Sequence, residues 1–262
     1  MDRNRKIYEH ARRYLLSFEQ ISNEMLDAQL NEWRTQTECL NNLSKVFHVM
    51  INAFTSPQGK GNYIGDTDKL RPFLFDFDHG EVLAEYNSWE ELFDAIITSD
   101  YTPPGRMDKN NPRNTWVQFC KCILSIAKFL SIYKDVGEFN QFVQGFYLNE
   151  YSRVALPLLL EKEIFGYGFA VSCDFLKDAG YPEFIKPDTH VNDIAKNLGI
   201  THSTDNYQIF KDLIVYCRSI NKLPFEVDKL FWLVGSGRFY LYDVRINTSK
   251  WDFINSFQRI GG

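Results

Sequence analysis

The sequence predicts a mostly α-helical protein, and three observations carry that expectation. Apolar residues recur at helical spacing through most of the chain, capping residues stand ahead of those runs, and the connections in the C-terminal half are short. At 262 residues the chain is long enough to bury one large core or two modest ones.

Taken in order, Leu40, Leu43, Phe47, Met50, Ile51 and Phe54 follow Thr37, a residue type that caps helices. The stretch 56–68, with Pro57 and three glycines, reads as a loop. Over 71–86 the alternation of Phe73, Phe75 and Phe77 predicts a short β-hairpin turning at His79-Gly80. Ser88-Trp89-Glu90-Glu91 has the pattern of a capping box opening a short helix. A second loop covers 100–114. Trp116, Val117, Phe119, Ile123, Leu124, Ile126, Phe129 and Leu130 then mark a central buried helix over 115–133. Further helices are expected over about 139–146, 152–163, 169–179, 188–198, 205–220 and 225–234.

Composition narrows the function classes. A net charge of −5 is not the footprint of a protein that coats nucleic acid through bulk positive charge. Nucleic acid binding here would rely on backbone donors and a few cations. The five cysteines (Cys39, Cys120, Cys122, Cys173, Cys217) are too few and too scattered for a disulfide framework. Cys120 and Cys122 fall on opposite helix faces, a poor spacing for metal ligands, so reduced core thiols and no metal are expected. The chain opens without an apolar leader core and has no run of about 18 apolar residues, which points to a cytoplasmic protein without membrane contact. Gly59-Lys60-Gly61 lacks the spacing of a phosphate-binding P-loop.

One segment stands out for chemistry. Ile164-Phe165-Gly166-Tyr167-Gly168 is an apolar-x-Gly-apolar-Gly turn between two expected helices. The glycines let the backbone turn tightly and approach another molecule without Cβ interference. A helix opening at Phe169 would present free amides and a positive dipole end to a phosphate. Twenty residues past Gly168 comes Asp188, within Lys186-Pro187-Asp188-Thr189-His190. By itself Asp188 has the residue type of a helix N-cap.

Together the hairpin, Ser172 four positions after Gly168, and the Asp-Thr-His loop resemble the helix–hairpin–helix DNA glycosylases (the HhH-GPD superfamily). The resemblance is sharp over about 155–200, and the four-cysteine iron–sulfur motif of many members is absent. It implies a fold of two helical lobes forming one unit over 1–262. One lobe, over about 115–220, would carry the hairpin segment (155–180) and the Asp188 loop, and the N- and C-terminal segments would form the other. It implies Asp188 as the catalytic carboxylate, and Gly166, Tyr167, Gly168, Phe169, Ala170, Lys186 and His190 as DNA-contacting positions. Strand-cutting members carry a Schiff-base lysine two residues after the second hairpin glycine; here that position is Ala170. The activity implied is therefore that of a monofunctional DNA glycosylase, a monomer acting without a cofactor on duplex DNA with the target base flipped out, and leaving an abasic site. Its role would be repair, or defence against phage DNA carrying bulky modified bases.

Other readings stand beside this one. A non-catalytic DNA-binding protein would keep the hairpin and use Asp188 as a cap; a third possibility is action on RNA or nucleosides. His190 suits a structural or phosphate-contacting role better than proton transfer. Asp174 and Glu161-Lys162-Glu163 read as solvated faces. Leu233-Val234-Gly235-Ser236-Gly237-Arg238-Phe239-Tyr240 echoes the hairpin, with Ser236 in place of the apolar anchor. It reads as a glycine helix end, with a second anion site as the alternative.

Overall fold

The computed structural model describes residues 2–34, 40–56 and 60–260. Thr37, Cys39 and Gly59, weighed above, lie outside them. The protein is mostly helical, at 66% helix, with a single two-stranded sheet among the described residues. Among them no helix is long and apolar enough to cross a membrane.

Two compact units partition the chain, Met1–Thr37 with Leu176–Gly262, and Glu38–Phe175. The division does not follow the lobe expected over about 115–220. It falls inside the helix Phe169–Asp178, so the hairpin glycines and Asp188 belong to different units.

The unit 38–175 is built on the helix Thr115–Leu130, whose apolar side chains from Trp116 to Leu130 are all buried. Helices Leu43–Thr55, His79–Glu85 and Trp89–Ile97 pack around it. Phe54 and Phe119 meet with ring centres 5.6 Å apart. Each large apolar side chain so buried contributes roughly 1.5–3 kcal/mol, against about 1 kcal/mol for a cap. Core packing around this helix therefore outweighs the local signals in fixing the unit. The caps are nonetheless as chemistry dictates: Asn42 for Leu43–Thr55, Ser88 for Trp89–Ile97 and Asn114 for Thr115–Leu130 each accept from a first-turn amide. The return bond of the expected capping box is shifted by one residue, with Glu91 accepting from the Asn87 amide rather than from Ser88.

Two local expectations in this unit are corrected. Lys60–Ile64 is a short helix within the expected loop. The expected β-hairpin over 71–86 is instead the 3-10 turns Thr67–Phe73 and Phe75–Phe77 followed by the helix His79–Glu85. Asp78 decides the matter. Its carboxylate accepts from the Gly80 and Glu81 amides, making His79-Gly80 the first turn of a helix instead of a hairpin tip. Phe75, Asp76 and Phe77 carry positive φ of 48°, 51° and 64°, so the phenylalanine alternation runs from the end of one 3-10 turn, at Phe73, through a left-handed turn.

The other unit centres on the helix Pro224–Ser236, packed by Arg3–Leu16, Asn23–Leu30, Thr189–Asn197, Asn206–Ser219 and Lys250–Arg259. Arg3 donates to the Leu198 carbonyl at 2.6 Å and Tyr8 to Glu226, tying the first helix to distant parts of the unit. The helix Pro224–Ser236 ends on Gly237 at φ +65°, the glycine helix end that the sequence suggested. Strands Arg238–Phe239 and Val244–Arg245 then pair antiparallel.

Candidate functional site

Asp188 is the N-cap of the helix Thr189–Asn197. Its Oδ1 accepts from the His190 amide at 2.8 Å and the Val191 amide at 2.9 Å. Among the described residues no hydrogen bond or ion pair reaches Oδ2. The carboxylate is thus fixed through one oxygen and half-buried, with the other oxygen available.

The loop that delivers Asp188 is pinned from below. The Lys186 amide donates to Oδ2 of Asp228 at 2.5 Å, and Oδ1 of Asp228 accepts from the Lys177 ammonium at 3.2 Å. Asp228 is 2% exposed, so a buried carboxylate from the central helix sets the height of the loop. Asn192 donates to the Pro187 carbonyl at 3.0 Å, and its own amide donates to the Asp188 carbonyl at 2.8 Å. Lys186, Asp188 and His190 therefore form one rigid corner.

His190 stands half-buried beside Asp188, with Nδ1 buried and no hydrogen-bond partner for it among the described residues. A Cβ on Gly235 would lie 2.2 Å from this nitrogen, so the central helix passes the ring only because residue 235 has no side chain. Burial pushes the imidazole pKa down, outweighing Asp188 and Asp193, which push it up. At neutral pH His190 is uncharged, able to offer a hydrogen bond and not a cation.

The hairpin lies in the unit 38–175. Gly166 takes φ +81°, and a Cβ there would sit 2.8 Å from the Phe54 ring. Gly168 has nothing within 4 Å of the same construction, and its carbonyl accepts from the Ser172 amide and hydroxyl. The two glycines thus differ in purpose: the first permits the turn, and the second leaves open space above the backbone. Gly166→Ala is expected to cost about 1–3 kcal/mol through strain and overpacking, whereas Gly168→Ala should leave stability nearly unchanged. Thermal unfolding of the two variants checks the contrast.

Two side chains expected at the DNA surface are turned inward. Tyr167 is 5% exposed and donates its hydroxyl to the Met50 carbonyl, and Phe169 is 7% exposed. Neither ring is placed to meet a ligand at the surface, and Ala170 is half-buried. The hairpin's exposed ring is Phe165, which sequence reasoning passed over. Its amide is held by the Ser125 hydroxyl at 2.8 Å. With Trp89, Lys121 and Lys128 it lines a groove, where the Lys121 ammonium lies 4.9 Å from the Trp89 ring centre. Asp174 is also corrected, being 4% exposed and not on a solvated face.

No family model matches the chain, and no match to a curated protein or a solved structure is found.

Proposed function

We propose that the chain is a monofunctional DNA glycosylase that excises a damaged or modified base and leaves an abasic site. One observation carries the reading. The aspartate at the glycosylase spacing after the hairpin has one oxygen tied to two amides and the other oxygen available. Breaking an N-glycosidic bond sends the bonding electrons out with the base and leaves oxocarbenium character at C1′ of the sugar. The available oxygen of Asp188 stabilises that charge and accepts a proton as water adds to C1′; the departing base takes up a proton. The fixed oxygen keeps the carboxylate from rotating away, so little reorganisation accompanies the reaction.

The hairpin would serve as the anchor for the DNA backbone. Open space at Gly168 and the positive dipole end of the helix opening at Phe169 suit a phosphate, and Phe165 with Lys121 adds an aromatic and cationic surface in the same unit. On this reading a bulky residue at 168 weakens binding to all DNA sequences about equally, because phosphate contacts position without reading bases.

The second reading, a DNA-binding protein without catalysis, draws on the cap bonds themselves, which any N-terminal aspartate makes. A mass-spectrometric screen for free bases released from variously modified DNAs separates the two. Release of a base supports the glycosylase, and binding without any release supports the rival.

A further inference from the structure

The hairpin-like motif near the end of the chain leads to a second candidate site. Gly237 turns the chain out of the helix, and its carbonyl accepts from the Ile246 amide at 2.9 Å. The ladder that follows pairs Arg238 directly with Arg245, and Phe239 with Val244. Phe239 is fully buried, so strand alternation turns Arg238 outward, and both arginines are exposed. Among the described residues neither guanidinium makes a hydrogen bond or an ion pair. Like charges facing each other across a ladder are destabilising unless an anion stands between them.

Space for that anion is present. Arg238, Tyr240, Asp243, Val244 and Arg245 line a cavity of about 440 Å³. Tyr240 forms a fixed wall, because its hydroxyl accepts from Lys229 and donates to Glu32. Two arginine forks can grip phosphate oxygens in bidentate fashion, where lysine would offer only a point charge. Asp243 reduces the lining to a single net positive charge, which matches a phosphodiester better than a doubly charged phosphomonoester. The pair also lies in the unit that carries Asp188. Gly235, against the His190 ring, is three residues before Arg238, a span of at most about 10 Å.

We propose that Arg238 and Arg245 together hold a phosphodiester of the DNA backbone, giving this unit its own grip on the strand. The proposal rests on DNA being the ligand, as the glycosylase reading holds, but it does not require catalysis.

The test is fluorescence anisotropy with a short labelled duplex of unmodified sequence, at salt from about 50 to 200 mM. The double variant Arg238→Gln/Arg245→Gln should bind about tenfold more weakly, and its salt dependence should be shallower by about one phosphate contact. Replacing both arginines by lysine should retain the salt dependence. Each single glutamine variant should show part of the loss, and these carry the test if the pair fails to fold. Unchanged affinity and salt slope in folded glutamine variants would overturn the proposal while leaving the glycosylase reading intact. Thermal stabilisation by inorganic phosphate that is lost in the variants, with DNA affinity unchanged, would also overturn it by assigning the cavity to small anions. A wild-type protein that binds no DNA sinks both readings. Weakened binding in the variants, with no base released from any DNA, sustains this site and removes the enzyme.

Discussion

Asp188→Asn is expected to reduce base release by about 10²–10⁴-fold while leaving the fold and DNA binding in place. The amide oxygen of asparagine can accept the same two bonds, from the His190 and Val191 amides, that Asp188 accepts now. Asparagine is also as good an N-cap as aspartate, so stability should change by less than about 1 kcal/mol. What disappears is the negative charge on the available oxygen, and with it the stabilisation of the oxocarbenium-like sugar and the acceptor for water's proton. Asp188→Ala provides the comparison, because it removes both cap bonds and should cost about 0.5–2 kcal/mol in addition to the activity. Single-turnover release of the base, measured beside anisotropy binding and thermal unfolding, reads all three quantities. Full activity in the asparagine variant would mean that Asp188 is a cap and nothing more.

The local rules were easiest to read where a capping residue precedes a long apolar run. Ser88, Asn114, Asp188 and Asp205 each sit at the start of a helix and accept from its first-turn amides. The segment 71–86 misled because Phe73, Phe75 and Phe77 are spaced by two whether the backbone is a strand or a run of tight turns. Only Asp78, standing between Phe77 and the expected turn and capping the helix His79–Glu85, distinguishes the cases. The helices Arg3–Leu16 and Lys250–Arg259 went unassigned because polar residues outnumber their buried ones. Ser249, accepting from the Trp251 and Asp252 amides, was the available signal for the second.

Buried charge was the least legible feature. Asp174, Lys177, Asp228 and Lys229 are all under 10% exposed, yet nothing in their immediate neighbours announces it. Lys177 and Asp228 are partners 51 residues apart, and Lys229 meets Glu32 from the far end of the chain. Charges are buried only with partners, and those partners are set by tertiary structure. The Asp188 corner illustrates the consequence. Spacing alone singled out the aspartate, but the buried Asp228 that holds its loop through the Lys186 amide could not be found from sequence.

The same buried lysines shape the second large expectation, that the proposed glycosylase stops at the abasic site. Strand cleavage by a glycosylase needs an amine that attacks C1′ and forms a Schiff base. Ala170 occupies the hairpin position where the resemblance would place it, and a methyl group supplies no nucleophile. Lys177 is 7% exposed and donates to Asp228, so its amine is engaged and shielded. Lys229 is the more serious competitor. Burial pushes its pKa down, with Lys177 adding to the effect, and a desolvated lysine of that kind is the sort that forms Schiff bases. It is nevertheless 5% exposed and held by Glu32 at 3.2 Å and by the Tyr240 phenol, which leaves it no path to a sugar without breaking that network. Incubation with substrate DNA should therefore give strand breaks only after alkali, and borohydride should trap no covalent complex. A trapped complex would refute the assignment. Its loss in Lys229→Ala but not in Lys177→Ala would then show that the buried network opens to release an amine, so that burial here stores a nucleophile instead of retiring one.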